Sequence, residues 1–121
     1  MQEREISGDY SMRDIVGKEL SAVTFVMDYH QIWFNSTRIN IVTELRVLIG
    51  DSVYRLGDPG YRDKLCDRIT HVVVKAEARK GDAMEIVFDD GSAIVVPVRD
   101  EDHLYGPECI IYQAPTDWWV L

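Results

Sequence analysis

GDPGYRDKLCDRI, residues 57–69, is the stretch on which the reading of the chain turns. Asp58 suits a helix N-cap, and Pro59 suits the first helical position, where a missing N–H costs nothing. Tyr61, Leu65 and Ile69 recur every four residues and make one apolar face. Arg62, Asp63, Lys64, Asp67 and Arg68 point elsewhere. The pattern predicts a short helix near Pro59–Arg68, with Asp63 placed to favour the positive end of its dipole. Both flanks read as β.

Downstream, Val72–Ala78 opens as an unbroken apolar run, and Lys80-Gly81-Asp82 turns it into Met84–Asp89. Asp90-Gly91 then reads as a two-residue type I′ turn, because both residue types tolerate positive φ. That turn predicts Phe88 opposite Ala93 and Ile86 opposite Val95. Pro97 has no N–H for a ladder, which predicts an edge or a bulge there. Arg99–His103 is a polar loop, Gly106-Pro107 is a breaker, and Cys109–Gln113 and Asp117–Leu121 read as final strands. Trp118 and Trp119 then face opposite ways, which fits a core strand or a covered interface such as a homodimer.

Upstream, Ile39–Ile49 alternates for eleven residues, with Ile39, Ile41, Thr43, Leu45, Val47 and Ile49 on one face; Val42 and Leu48 interrupt the polar face. Gly50-Asp51 is a hairpin turn into Val53–Leu56. Before it, Leu20–Met27 and Gln31–Asn35 read as strands, joined by a turn at Asp28-Tyr29-His30. Ser11-Met12-Arg13-Asp14 has the shape of a capping box and predicts a small helix over Met12–Val16, ended by Gly17.

The fold expected is therefore α+β and mostly β: seven to nine short strands in antiparallel meanders, arranged as two similar halves around one central helix. IWFNSTRINIV (32–42) lies over IVFDDGSAIVV (86–96), placing Ile32 on Ile86, Phe34 on Phe88 and Ile41 on Val95. An internal repeat of about 15–56 and 58–121 accounts for this; a chance likeness between two meanders accounts for it too. A chain of 121 residues, 46% apolar and 28% charged, is expected to form one globular domain, 1–121, with a single core.

Thirteen Lys and Arg stand against 21 Asp and Glu, a net charge of −8. That balance argues against nucleic acid, which is gripped by clustered cations, and against an anionic membrane surface. It suits a basic protein partner, and it also simply favours solubility. No window has the apolar length of a membrane span, and the opening MQEREISGDYSMRD lacks a signal peptide's apolar stretch, so a cytoplasmic location is expected. Cys66 and Cys109 make no disulfide framework, and both are expected reduced.

No motif for catalysis, metal or nucleotide stands out, and no cofactor is expected. Cys66 has only His30, His71 and His103 as conceivable bases, and its place beside Leu65 and Ile69 suits a small core residue better than a nucleophile. Asp100, Glu101, Asp102, His103 and Glu108 form an acidic segment without EF-hand spacing. It reads as a solvated loop or as the contact surface for a basic partner. Asp89-Asp90 is better explained by its turn than by acid–base chemistry. Arg62 is expected to pair with an acidic segment such as Asp100–Asp102. On this reading Asp58, Pro59, Tyr61, Arg62, Asp63, Asp90 and Gly91 are structural.

Taken in order, GDPGYRDKLC, the IVFDDGSAIVV hairpin, the RDEDHLYGPE segment and the tryptophan-bearing C-terminus resemble a family of small uncharacterised bacterial proteins. That family carries GD-x-G-x-RD-x-LC, FDDG and ED-x-x-GPE-like segments. The resemblance spans roughly residues 15–121; Leu104 is an extra residue before Tyr105-Gly106-Pro107-Glu108. It implies no activity. The expectation for function is a non-enzymatic protein-interaction module, such as an immunity-type antagonist of a basic toxin domain. The alternatives are a small-ligand module with its site between the two halves, and a hydrolase using Cys66 or Asp100–Glu108.

Overall fold

The computed structural model describes residues 10–98 and 110–121. Among these residues ten strands form two antiparallel five-stranded sheets, with one short helix. The first sheet has the order β1 (Ala22–Val26), β2 (Tyr29–Phe34), β3 (Thr37–Ile41), β9 (Ile110–Gln113), β10 (Trp118–Val120). The second has the order β5 (Ser52–Arg55), β4 (Arg46–Ile49), β8 (Ala93–Pro97), β7 (Ala83–Phe88), β6 (Val73–Ala78). The protein is thus mostly β, in two similar halves, with more strands than the seven to nine expected.

Each half is a three-stranded meander followed by a hairpin, and the halves exchange hairpins. β4–β5 follows the first meander in the chain but pairs with β8 of the second. β9–β10 follows the second meander but pairs with β3 of the first. The eleven-residue alternation at Ile39–Ile49 is where the first exchange happens. It is not one strand: the chain leaves the first sheet after Ile41 and enters the second at Arg46. The inward face is kept across the break, with Ile39, Ile41, Leu45 and Val47 all buried. Period-2 spacing reports a constant buried face, and a chain that changes sheets keeps that face. The buried faces of both sheets feed one apolar cluster that includes Ile32, Phe34, Ile39, Ile86, Phe88, Ile94 and Tyr112.

The hairpin register differs from the one expected. Ile86 faces Ile94 and Val87 faces Ala93, so the β7–β8 loop holds three residues, Asp89–Gly91, and not two. Gly91, at φ 87, alone takes the left-handed conformation, and its N–H donates to the Phe88 carbonyl while the Phe88 N–H donates to the Ser92 carbonyl. This is a turn closed by a glycine bulge. The shift brings fully buried Ile86 and Ile94 face to face; the two-residue turn would have set Ile86 against half-exposed Val95. The first half keeps a two-residue turn, with Phe34 opposite Thr37. Past the turn, therefore, Ile39 corresponds to Ile94, and Ile41 to Val96 instead of Val95. Pro97 lies neither on an edge strand nor at a bulge. It ends β8 opposite Ala83, beyond the point where β4 pairs.

The helix, α1, runs from Tyr61 to Cys66, shorter than the Pro59–Arg68 span. Its N-cap is Gly60 in the left-handed conformation, so Asp58 and Pro59 belong to the preceding turn. Asp58 acts there on strand β5: its carboxylate accepts the Arg55 N–H and its own N–H donates to the Arg55 carbonyl. Tyr61 and Leu65 are buried as the spacing predicts, and α1 lies against β1 of one sheet and β4 and β5 of the other. The helix expected over Met12–Val16 is absent. Met12 and Ile15 are buried, but the segment makes successive turns and leaves at Gly17, whose N–H donates to the Val73 carbonyl. Four or five residues cannot offset the cost of nucleating a helix when sheet pairing competes. Trp119 is 3% exposed and stacks on Tyr112, whereas Trp118 is 56% exposed. No helix of the described residues is long and apolar enough to cross a membrane.

Candidate functional site

A cleft of about 480 Å³ opens where the chain crosses between the sheets. Its walls come from the β1–β2 turn (Met27, Asp28), the start of β2 (Tyr29, His30), the crossover (Val42, Thr43, Glu44), the end of β5 (Arg55, Leu56) and Tyr61 of α1. The volume falls in the range of small-molecule sites. The rim is apolar and open: Met27 is 95% exposed and Leu56 58%.

The polar groups converge deeper in. His30 Nε2 and the Tyr61 hydroxyl lie 3.0 Å apart. Burial pushes the Tyr61 hydroxyl up to about 12, and the Glu44 charge adds to this. Burial lowers the His30 pKa, a backbone hydrogen bond with Tyr29 opposes the shift, and the Arg62 charge reinforces it. Both groups are therefore neutral near pH 7, a hydrogen-bonding pair that carries no charge. Glu44 is held by Arg46 Nε at 2.9 Å and Arg55 Nε at 3.6 Å, so its charge is largely balanced. The cleft offers an apolar mouth and a polar, nearly neutral floor.

A second cluster closes the β7–β8 turn. Arg68, 7% exposed, donates from Nη1 to Asp90 Oδ2 at 2.8 Å and to the Ser92 hydroxyl. Asp90 Oδ1 accepts from the Ser92 N–H and hydroxyl. Burial works to raise the Asp90 pKa, but the bonds from Ser92 and Arg68 outweigh it and hold the carboxyl at about 2. His71 Nδ1 adds a contact to Asp89 Oδ1 at 3.0 Å. His71, Asp89 and Asp90 bring three possible metal donors within 4.8 Å of one another. Both Asp90 oxygens are already engaged, however, and the Arg68 guanidinium beside them opposes a second cation.

Among the described residues singled out in the sequence, Tyr61 lines the cleft, and so does His30, named there only as a conceivable base for Cys66. Asp58 and Pro59 form the turn before α1, and Asp63 sits in its first turn. The Arg62 guanidinium lies 5.4 Å from the centre of the Phe25 ring. Asp90 and Gly91 form the hairpin loop. Asp100, Glu101, Asp102, His103 and Glu108 lie outside the described residues, as does the pairing expected between Arg62 and Asp100–Asp102. Cys66 is half-buried, and burial, then the Asp63 and Asp67 charges, push its thiol up, away from the reactive thiolate. The cleft residues His30, Glu44, Arg55 and Leu56 had no local motif. One signal was present: Val42, which interrupts the polar face of the alternation, lies in the cleft wall.

Comparison with family models, with curated proteins and with solved structures finds no match.

Proposed function

We propose that this protein is a binding module and that the cleft between its two sheets takes a small amphipathic ligand. The observation that carries the reading is the pairing of an exposed apolar rim, Met27 and Leu56, with the neutral His30–Tyr61 pair on the floor. Such a site seats an apolar body and hydrogen-bonds one polar end. With Glu44 balanced by Arg46 and Arg55, Asp28 is the remaining charge of the lining, and the net charge is −8, so a neutral or cationic end is favoured over an anionic one. The free Cys66 thiol suits a reducing, cytoplasmic setting.

The test uses ¹⁵N NMR with three benzyl probes that differ only in the polar end: benzamide, benzylamine and phenylacetate. The expected result is saturable shifts at His30, Thr43 and Tyr61 with the first two, weakened in Tyr61→Phe. No shift at these residues with any probe at millimolar concentration would sink the reading. The second reading, a protein-interaction module such as an immunity-type antagonist of a basic toxin domain, then gains ground. Its support is the net charge of −8, and it requires association that weakens steeply with salt.

A further inference from the structure

Among the described residues the two sheets have four edge strands, and three carry protection over at least part of their length. β5 has its outward N–H and C=O at Arg55 satisfied by Asp58. β6 carries Lys75 and Glu77 and a register irregularity between Val73 and Lys75, and its start is covered by residues 17–18 through Gly17 N–H to the Val73 carbonyl and Val73 N–H to the Lys18 carbonyl. β10 is three residues long, and the Trp118 N–H donates to the Asp117 carboxylate. Charge, irregularity, cover and shortness are the devices that keep sheet edges from pairing with other chains.

β1 has no such device between Val23 and Val26, although α1 lies against it with Arg62 over the Phe25 ring and the Ser21 N–H bonds the Trp33 carbonyl just before its start. Its sequence, AVTFV, contains no charge, proline or glycine. The phase of the ladder follows from the tight turns at Met27-Asp28 and Asn35-Ser36, which make Val26–Tyr29 and Phe34–Thr37 hydrogen-bonded closing pairs. Ala22, Thr24 and Val26 therefore bond to β2, and the N–H and C=O groups of Val23 and Phe25 point to the open edge. No backbone partner for them occurs among the described residues.

We infer that β1 is a self-association edge, on which a second copy of this chain adds its own β1 antiparallel about a twofold axis at Thr24. In that register Val23 of each copy faces Phe25 of the other, so every outward N–H and C=O finds a partner. A shift of two residues in either direction leaves Val23 or Phe25 without its partner. The strand is self-complementary in kind, with apolar residues on both sides of Thr24, and Val23 and Phe25 are only partly buried against the core. Being uncharged, it is also an edge where two molecules of net charge −8 meet without direct repulsion. One strand pair buries far less than the ~1,200 Å² of a stable interface, so the dimer forms only at high protein concentration. Salt strengthens it by screening the repulsion between copies.

Sedimentation velocity across a concentration series tests this, using wild type, Thr24→Lys and Thr24→Glu. Thr24 is exposed, so both variants keep the monomer intact, yet each sets like charges directly across the axis. The expected result is a wild-type dimer that tightens with salt and is weakened about fivefold in either variant. An equimolar mixture of the two variants should recover it. Amide exchange of wild type should slow at Val23 and Phe25 as concentration rises. Wild type that stays monomeric at millimolar concentration, a dimer indifferent to Thr24→Lys, or a mixture that fails to recover association would each overturn the proposal.

Discussion

The β2–β3 turn and the β7–β8 turn occupy equivalent places in the two halves and are closed by different means. In the first, two residues suffice, with Asn35 at φ 60, and the strand resumes at buried Thr37. In the second, three residues are used, and the strand resumes at buried Ser92. Ser92 is bound by Asp90 and by Arg68, a cation brought in from just beyond α1. Meanwhile Tyr61, at the other end of the helix, reaches His30 in the first half. The helix thus supplies a charged lock to one half and a neutral cleft wall to the other. Similar frameworks leave different residues free, and the half without the lock is the one that opens a cleft.

The largest effect expected from breaking this asymmetry is at the lock. Arg68→Ala leaves Asp90 and buried Ser92 without the buried cation that joins them. Breaking a buried pair is costly, and partial access of water to Asp90 moderates it, so a loss of about 2–3 kcal/mol is expected in urea unfolding. A loss well under 1 kcal/mol would mean that the turn closes on backbone geometry alone, as in the first half.

The next effect is in the pH dependence. The Asp90 carboxyl is held at about 2, below its ordinary 3.8. A carboxyl depressed on folding stabilises the fold above its unfolded pKa, and that contribution is lost as pH falls from about 4 toward 2. Asp90→Asn should therefore be less stable than wild type at neutral pH and show a flatter decline between pH 4 and 2. Parallel curves for the two proteins would show that other carboxylates govern the acid limb. His30 works in a different window. Its lowered pKa means that stability present above about 6.5 declines as pH falls below that value.

The same contrast shows what sequence could and could not disclose. Strand content, the two halves and the buried faces were legible because they depend on periodicity and on turn-forming residues, which are local. The register at Asp89–Gly91 was not. Asp-Gly suits a two-residue turn and a glycine-bulged loop alike, and the choice falls to which partner buries Ile86. The break at residues 42–45 was hidden because the alternation continues through it. The lock was missed because Arg68 reads as one more solvent-facing helix charge, while its partners lie 22 and 24 residues away. In sequence Asp58 reads as a helix cap, because Asp-Pro is a good helix start. Its real task is to cap the edge of β5, which requires knowing where that edge is.

The smallest effect separates the lock from its neighbours. Asp89 pairs with His71 at 3.0 Å, but both side chains are substantially open to water. An exposed pair of this kind contributes little, so Asp89→Ala should change stability by less than about 0.5 kcal/mol. The measurement also probes whether the second half conceals a metal centre, because His71, Asp89 and Asp90 are close enough to share an ion. Their geometry alone would allow it; the Arg68 guanidinium at 2.8 Å from Asp90 argues otherwise, since an added cation must compete for oxygens already bound. Zinc added to wild type should therefore raise the melting temperature no more than it does in Asp89→Ala. A zinc-dependent rise confined to wild type would mean that the cluster exchanges Arg68 for a metal. The second half would then have a site of its own, and the division between a locked half and an open one would fail.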